Sequence, residues 1–110
     1  MPRHGHIYVV RLDKERPALI ISIDGRNRFA SDVLVVPCST VLSMSATHVV
    51  LRRGDGGVRR ASVLKCEQIT TIAQEDVLRG PLGGPLPARL LGAVQRAIMR
   101  AVGVPVPEPD

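Results

Sequence analysis

Up to Pro87 the apolar residues of this chain come in short runs, none longer than about seven, each closed by a proline, glycine or polar residue. Runs such as Ala18-Leu19-Ile20-Ile21 and Val33-Leu34-Val35-Val36 are too short for core helices and suit strands buried on both faces. After Pro87 the spacing changes. Leu90, Leu91, Val94, Ala97, Ile98, Ala101 and Val102 recur at intervals of three and four, the stripe of one amphipathic helix. The chain must therefore fold as several short strands and a single closing helix. With only Tyr8 and Phe29 as aromatics, its core is built from aliphatic side chains.

The pattern places strands at residues 6–12, 18–23, 33–36 and 47–52, and a longer one at 58–72 broken near Cys66. Pro17 can open the second strand, because a strand's first residue need not donate to the ladder. Arg53-Gly54-Asp55-Gly56-Gly57 is the clearest turn, since glycine reaches positive φ cheaply. Residues 39–46 read as a loop, 74–78 as one helical turn and 80–85 as a loop or strand edge. The helix opens at Pro87 and ends at Gly103 and Pro105, with Arg89, Arg96 and Arg100 facing solvent. The expected architecture is mostly β with a C-terminal α-helix: a small antiparallel barrel of six or seven strands. Closure is favoured because it removes exposed edges. Residues 1–103 read as one domain, a size of chain that supports one modest core, and 104–110 as a flexible tail.

No apolar run approaches the roughly 20 residues a membrane span needs. The basic start Met1-Pro2-Arg3-His4-Gly5-His6 is not followed by a secretory core, so the chain reads as cytoplasmic. Cys38 and Cys66 lie in strand patterns and read as buried free thiols rather than a disulfide framework. His4, His6 and His48 lack metal-ligand spacing; His4 and His6 read as surface residues of the first strand. No metal and no cofactor are expected.

The formal net charge is +5 and the isoelectric point about 10.2, which favours a polyanionic partner. Arginine supplies thirteen of the fifteen cations, and its planar fork suits phosphate better than lysine does. Arg52, Arg53, Arg59 and Arg60 flank the predicted turn and read either as the lining of a nucleic-acid groove or as a solvated hairpin tip.

Chemistry gathers at three strand ends. Arg16 precedes a buried strand, where its guanidinium could stabilise charge on a phosphate. Ser39 and Thr40 follow another, their hydroxyls available to a phosphate oxygen or a ribose, or simply capping the strand. In Lys65-Cys66-Glu67-Gln68-Ile69-Thr70-Thr71-Ile72 an acid, an amide and a cation stand among apolar residues, with Lys65 and Glu67 expected on one strand face. That carboxylate could act as a general base or orient an arginine.

These segments, with Gly5-His6-Ile7-Tyr8, Arg16-Pro17-Ala18-Leu19-Ile20-Ile21-Ser22, Val35-Val36-Pro37-Cys38-Ser39-Thr40 and the closing helix, resemble the MazF/PemK-type toxin endoribonucleases of bacterial toxin–antitoxin modules. The resemblance implies an SH3-like barrel of the MazF/CcdB type and a dimeric, metal-independent ribonuclease that cuts single-stranded RNA at short sequences through attack of the ribose 2′-hydroxyl, leaving a cyclic phosphate. It implies site roles for Arg16, Ser39, Lys65 and Glu67, with Arg16, Ser39 and Glu67 catalytic; RNA contacts are expected from Lys65, Thr40, Gln68, Arg26 and Arg28. It also implies a homodimer and an antitoxin with a disordered acidic segment. The chain departs from the family pattern at His4-Gly5-His6, in the short Asp13-Lys14-Glu15 turn, at Ala61-Ser62 and at Thr70, which stands where relatives carry arginine. Two other readings on the same fold are a non-catalytic toxin of the CcdB type that inhibits DNA gyrase and a degenerate RNA-binding relative. The Arg16 and Ser39 pair favours cleavage.

Overall fold

The computed structural model describes residues 1–107. Seven strands, β1 (Ile7–Arg11), β2 (Glu15–Ile20), β3 (Asp32–Ser39), β4 (His48–Leu51), β5 (Ser62–Lys65), β6 (Thr70–Ala73) and β7 (Val77–Arg79), form one antiparallel sheet. A short helix α1 (Asp24–Asn27) joins β2 to β3, and the helix α2 (Ala88–Ala101) closes the chain. The spatial order is β4-β5-β3-β2-β1-β7, with β6 added to β3.

The 33–36 run proves to be the centre of an eight-residue strand. One edge of β3 pairs with β2; the other pairs with β6 over residues 32–35 and with β5 at Cys38 and Ser39. The break expected near Cys66 is the change of partner, a 3-10 turn over Cys66–Gln68 that carries the chain from β5 to β6. The sheet wraps like a barrel, but among the described residues no ladder joins β4 to β7. The β4 edge is met instead by α2.

Three local expectations change. Strand β2 begins at Glu15 rather than Ala18, because its pairing with β1 runs down to Arg11 and Glu15. Pro17 is tolerated inside it because the β2–β3 ladder reaches only to Ala18. The helical turn expected at 74–78 is a 3-10 turn over Gln74–Asp76, and Val77–Arg79 then joins β1 as the seventh strand. His6 is buried rather than on the surface, its ring Nδ1 3.1 Å from the His4 carbonyl.

Alternation along the strands fills two cores. Ile7, Leu19, Val36, Cys38, Val49, Leu51 and Leu64 form one with Leu90, Val94 and Ala97 of α2. Tyr8, Val10, Ala18, Ile20, Val33 and Val35 form the other, on the opposite side of the β1–β2–β3 ribbon. Ala101 and Val102, predicted in the helix stripe, are exposed because α2 runs past the core, and Arg96 and Arg100 are half-buried beside β4. The helix ends as expected at Gly103, whose φ of +87° sets a Schellman cap: Gly103 N–H donates to Arg100 O and Val104 N–H to Met99 O. Both cysteines are free and buried, and burial first of all pushes their thiols up to about 12. Residues 104–107 form no regular element, and 108–110 of the expected tail lie outside the described residues.

Candidate active site

The site follows from register. The β2–β3 ladder pairs Leu19 with Val36 and Ala18 with Pro37. Arg16 stands two residues before Ala18 and Ser39 two after Pro37, just beyond the end of this ladder, so alternation puts both on the face that Ala18 and Pro37 share. Ser39 in turn pairs with Val63 of β5, and two residues along that strand Lys65 pairs with His48 of β4. One sheet face thus carries Arg16, Ser39, Lys65 and His48.

Arg16 is held by Asp13, with its Nη2 2.9 Å and 3.0 Å from the two carboxylate oxygens, and its side chain is only 24% exposed. Its Nε is buried and has no hydrogen-bond partner among the described residues. A buried donor without an acceptor is costly, so this atom is suited to an incoming oxyanion. The hydroxyl of Ser39 accepts the Val41 backbone N–H at 3.1 Å, which leaves its own proton to donate.

The structure moves Glu67 off the strand. It stands exposed on the 3-10 turn, so the expected shared strand face with Lys65 does not form. Its Oε1 accepts the Thr47 hydroxyl at 3.0 Å, and both its oxygens lie 3.1 Å from His48 Nε2. Burial pushes the Glu67 carboxyl up, but its own backbone N–H, His48 and Thr47 together hold it below the usual carboxylate value. His48 moves the other way. Its bond to the Ser43 carbonyl and the facing Glu67 outweigh burial and Lys65, and raise it above its ordinary value.

The remaining predicted residues are spread along β3. Thr40, just past its end, lines a cavity of about 400 Å³ with Pro17, Val58, Arg59, Arg60 and Arg79. Gln68 is exposed beside Glu67. Arg26 donates to the Asp32 carbonyl at 3.0 Å and pairs with its carboxylate, at the start of β3. It and Arg28 are therefore not brought to Arg16, since seven residues of strand span roughly 23 Å. Sequence reasoning missed His48, Thr47 and Asp13, whose part depends on cross-strand register and on a loop fold. Their only signal was polar residues beside the strand ends.

A barrel-like antiparallel sheet closed by a C-terminal helix is the architecture of a class of small toxins. The chain belongs to the family described as PemK-like, MazF-like toxin of type II toxin–antitoxin system, whose model matches residues 3–102. It is similar to the Mycobacterium tuberculosis toxin MazF-mt6, with 30% identity over 92% of this chain and 99% of that one and a TM-score of 0.83. An endoribonuclease in complex with its cognate antitoxin from a mycobacterial species matches at 25% identity, 97% and 100% coverage and a TM-score of 0.83. The MazE–MazF structure from Deinococcus radiodurans, at 20% identity, 94% and 97% coverage and a TM-score of 0.80, shares the fold. A search of curated proteins finds no match.

Proposed function

We propose that this toxin is a metal-independent, sequence-specific endoribonuclease acting on single-stranded RNA. The observation that carries this reading is the buried, unpartnered Nε of Arg16, on the sheet face that alternation also gives to Ser39. The RNA supplies its own nucleophile. As the 2′-oxygen bonds to phosphorus and the bond to the 5′-oxygen breaks, negative charge grows on the phosphoryl oxygens. Arg16 meets that charge with its fork, and the Ser39 hydroxyl donates to one oxygen. The 2′-proton leaves to water, and water protonates the departing 5′-oxygen. Held below the usual carboxylate value, Glu67 is a weak base near neutral pH and serves by orientation.

Thr40, Lys65 and Gln68 contact the RNA near the cut, while Arg26 and Arg28 meet it several nucleotides away. The protein works as a homodimer, and its antitoxin brings a disordered acidic segment drawn by the +5 charge. The complexes formed by relatives with their antitoxins support that partner. Arg59 and Arg60 line the Thr40 cavity with no acidic partner among the described residues. Replacing either by alanine is expected to weaken RNA binding across sequences. It should also flatten the slope of log affinity against log salt by about 0.7, one phosphate contact on a single strand. Titrations at several salt concentrations measure this.

The direct test incubates the protein with a long single-stranded RNA in EDTA and maps the fragment ends. Cuts at a short recurring sequence are expected. RNA left intact by a protein that still arrests growth would instead favour the gyrase-type reading.

A further inference from the structure

The ring of His48 faces an acceptor at each nitrogen. Nδ1 lies 2.9 Å from the Ser43 carbonyl oxygen, closer than the Ser43 hydroxyl at 3.3 Å, and Nε2 lies 3.1 Å from the Glu67 carboxylate. A neutral imidazole donates from one nitrogen only, so both bonds exist together only in the imidazolium form. Ser43 belongs to the loop of residues 40–46, which runs directly from Ser39. The same loop donates the Val41 N–H to the Ser39 hydroxyl. A continuous chain of bonds therefore links Glu67, His48, the loop and Ser39.

We propose that His48 is a positioning residue of this toxin: as a cation clamped between Ser43 and Glu67, it fixes the 40–46 loop and thereby orients the Ser39 hydroxyl. The role in catalysis rests on the ribonuclease reading above, but the clamp does not. The loop has few other anchors. Val41, Leu42 and Met44 are 71%, 56% and 82% exposed, so apolar burial does little to hold it. Its remaining bonds are short-range ones among Val41, Ser43, Ser45, Thr47 and His48.

The charged groups around the ring set the sign. Glu67 faces it from the 3-10 turn, Lys65 stands opposite on β5, and Arg96 and Arg100 of α2 line the adjoining cavity with it. Glu67 and the Ser43 carbonyl favour the cation, whereas Lys65 and burial oppose it, and the net effect is upward. With its folded value raised, the clamp is fully present below the unfolded histidine value and is lost as pH rises through the folded one. Its acidic limit comes from Glu67. That carboxyl's value is lowered on folding, so its share is lost only as pH falls through the lowered value.

The test pairs nitrogen NMR of the His48 ring and amide exchange of residues 41–46 with cleavage rates against pH. A titration midpoint above the ordinary histidine value is expected, with both ring nitrogens protonated on its acid side. His48→Ala and Glu67→Gln should speed loop exchange and lower kcat at least tenfold with KM little changed. His48→Arg, which can donate to both acceptors and does not titrate, should recover part of the rate and lose the alkaline fall. A midpoint at or below the ordinary histidine value, or unchanged loop exchange in His48→Ala, would overturn the proposal. If the wild type cuts no RNA, the ribonuclease reading fails, while the NMR and exchange results still judge the clamp.

Discussion

Replacing Arg16 by alanine is expected to lower cleavage of single-stranded RNA at least 100-fold, roughly 2.7 kcal/mol of transition-state stabilisation. The magnitude follows from placement. Arg16 shares a sheet face with Ser39 and has a buried, unpartnered Nε, and Asp13 engages only one of its terminal nitrogens. The loss should fall on kcat, because charge on the phosphoryl oxygens is greatest in the transition state. Arg16→Lys keeps the charge and loses the fork, so it should recover only part of the rate. Stability should change little, since the ion pair being removed joins Arg16 to an Asp13 side chain that is 71% exposed. Steady-state cleavage of a short oligonucleotide, with thermal melts of each variant, checks both parts. A variant that melts like the wild type and cuts at the wild-type rate would remove Arg16 from the site.

The largest effect on folding is expected from Gly57→Ala. Gly57 has φ +89°, a conformation L side chains rarely adopt, and its backbone lies against the 82–83 segment. A Cβ there would stand 2.4 Å from both the carbonyl carbon and oxygen of Leu82 and 2.6 Å from Gly83 N. These are backbone atoms and cannot swing aside. The left-handed conformation alone costs about 1–2 kcal/mol for a side chain, and the clash adds more, for about 3 kcal/mol or greater in total. Against a typical stability of 5–15 kcal/mol that is a large fraction. It corresponds to a fall in Tm of at least about 12 °C. Gly84→Ala is the matched control, because a Cβ at that position meets nothing within 4 Å. It should melt within a few degrees of the wild type.

The strands and the helix were legible because their signals are local. The aliphatic runs at 18–21 and 33–36, the glycine turn at 54–57 and the stripe from Leu90 to Ala97 each survive into the fold. Element ends were less legible, because pairing sets them. Ladders to β1 and β5, rather than any property of Glu15 or Ser39 alone, lengthen β2 and β3. Among the candidate site residues, Arg16 and Ser39 were readable as polar groups at the ends of buried strands. Glu67 was readable as a residue but not as a placement. Its alternating neighbours read as strand, whereas the change of ladder partner at β3 forces a 3-10 turn there. His48 carries no motif. Its partners, Ser43 and Glu67, meet it only after β4 pairs with β5 and the 40–46 loop folds back.

The central claim is that the substrate supplies the nucleophile while Arg16 and Ser39 stabilise the charge. Mass spectrometry of the products from one oligonucleotide, cut in EDTA, tests it most directly. The account predicts a 2′,3′-cyclic phosphate on the upstream fragment and a free 5′-hydroxyl on the downstream one, and an oligonucleotide with deoxyribose at the cut site should remain whole. A 3′-hydroxyl with a 5′-phosphate, or cleavage at the deoxyribose, would contradict it.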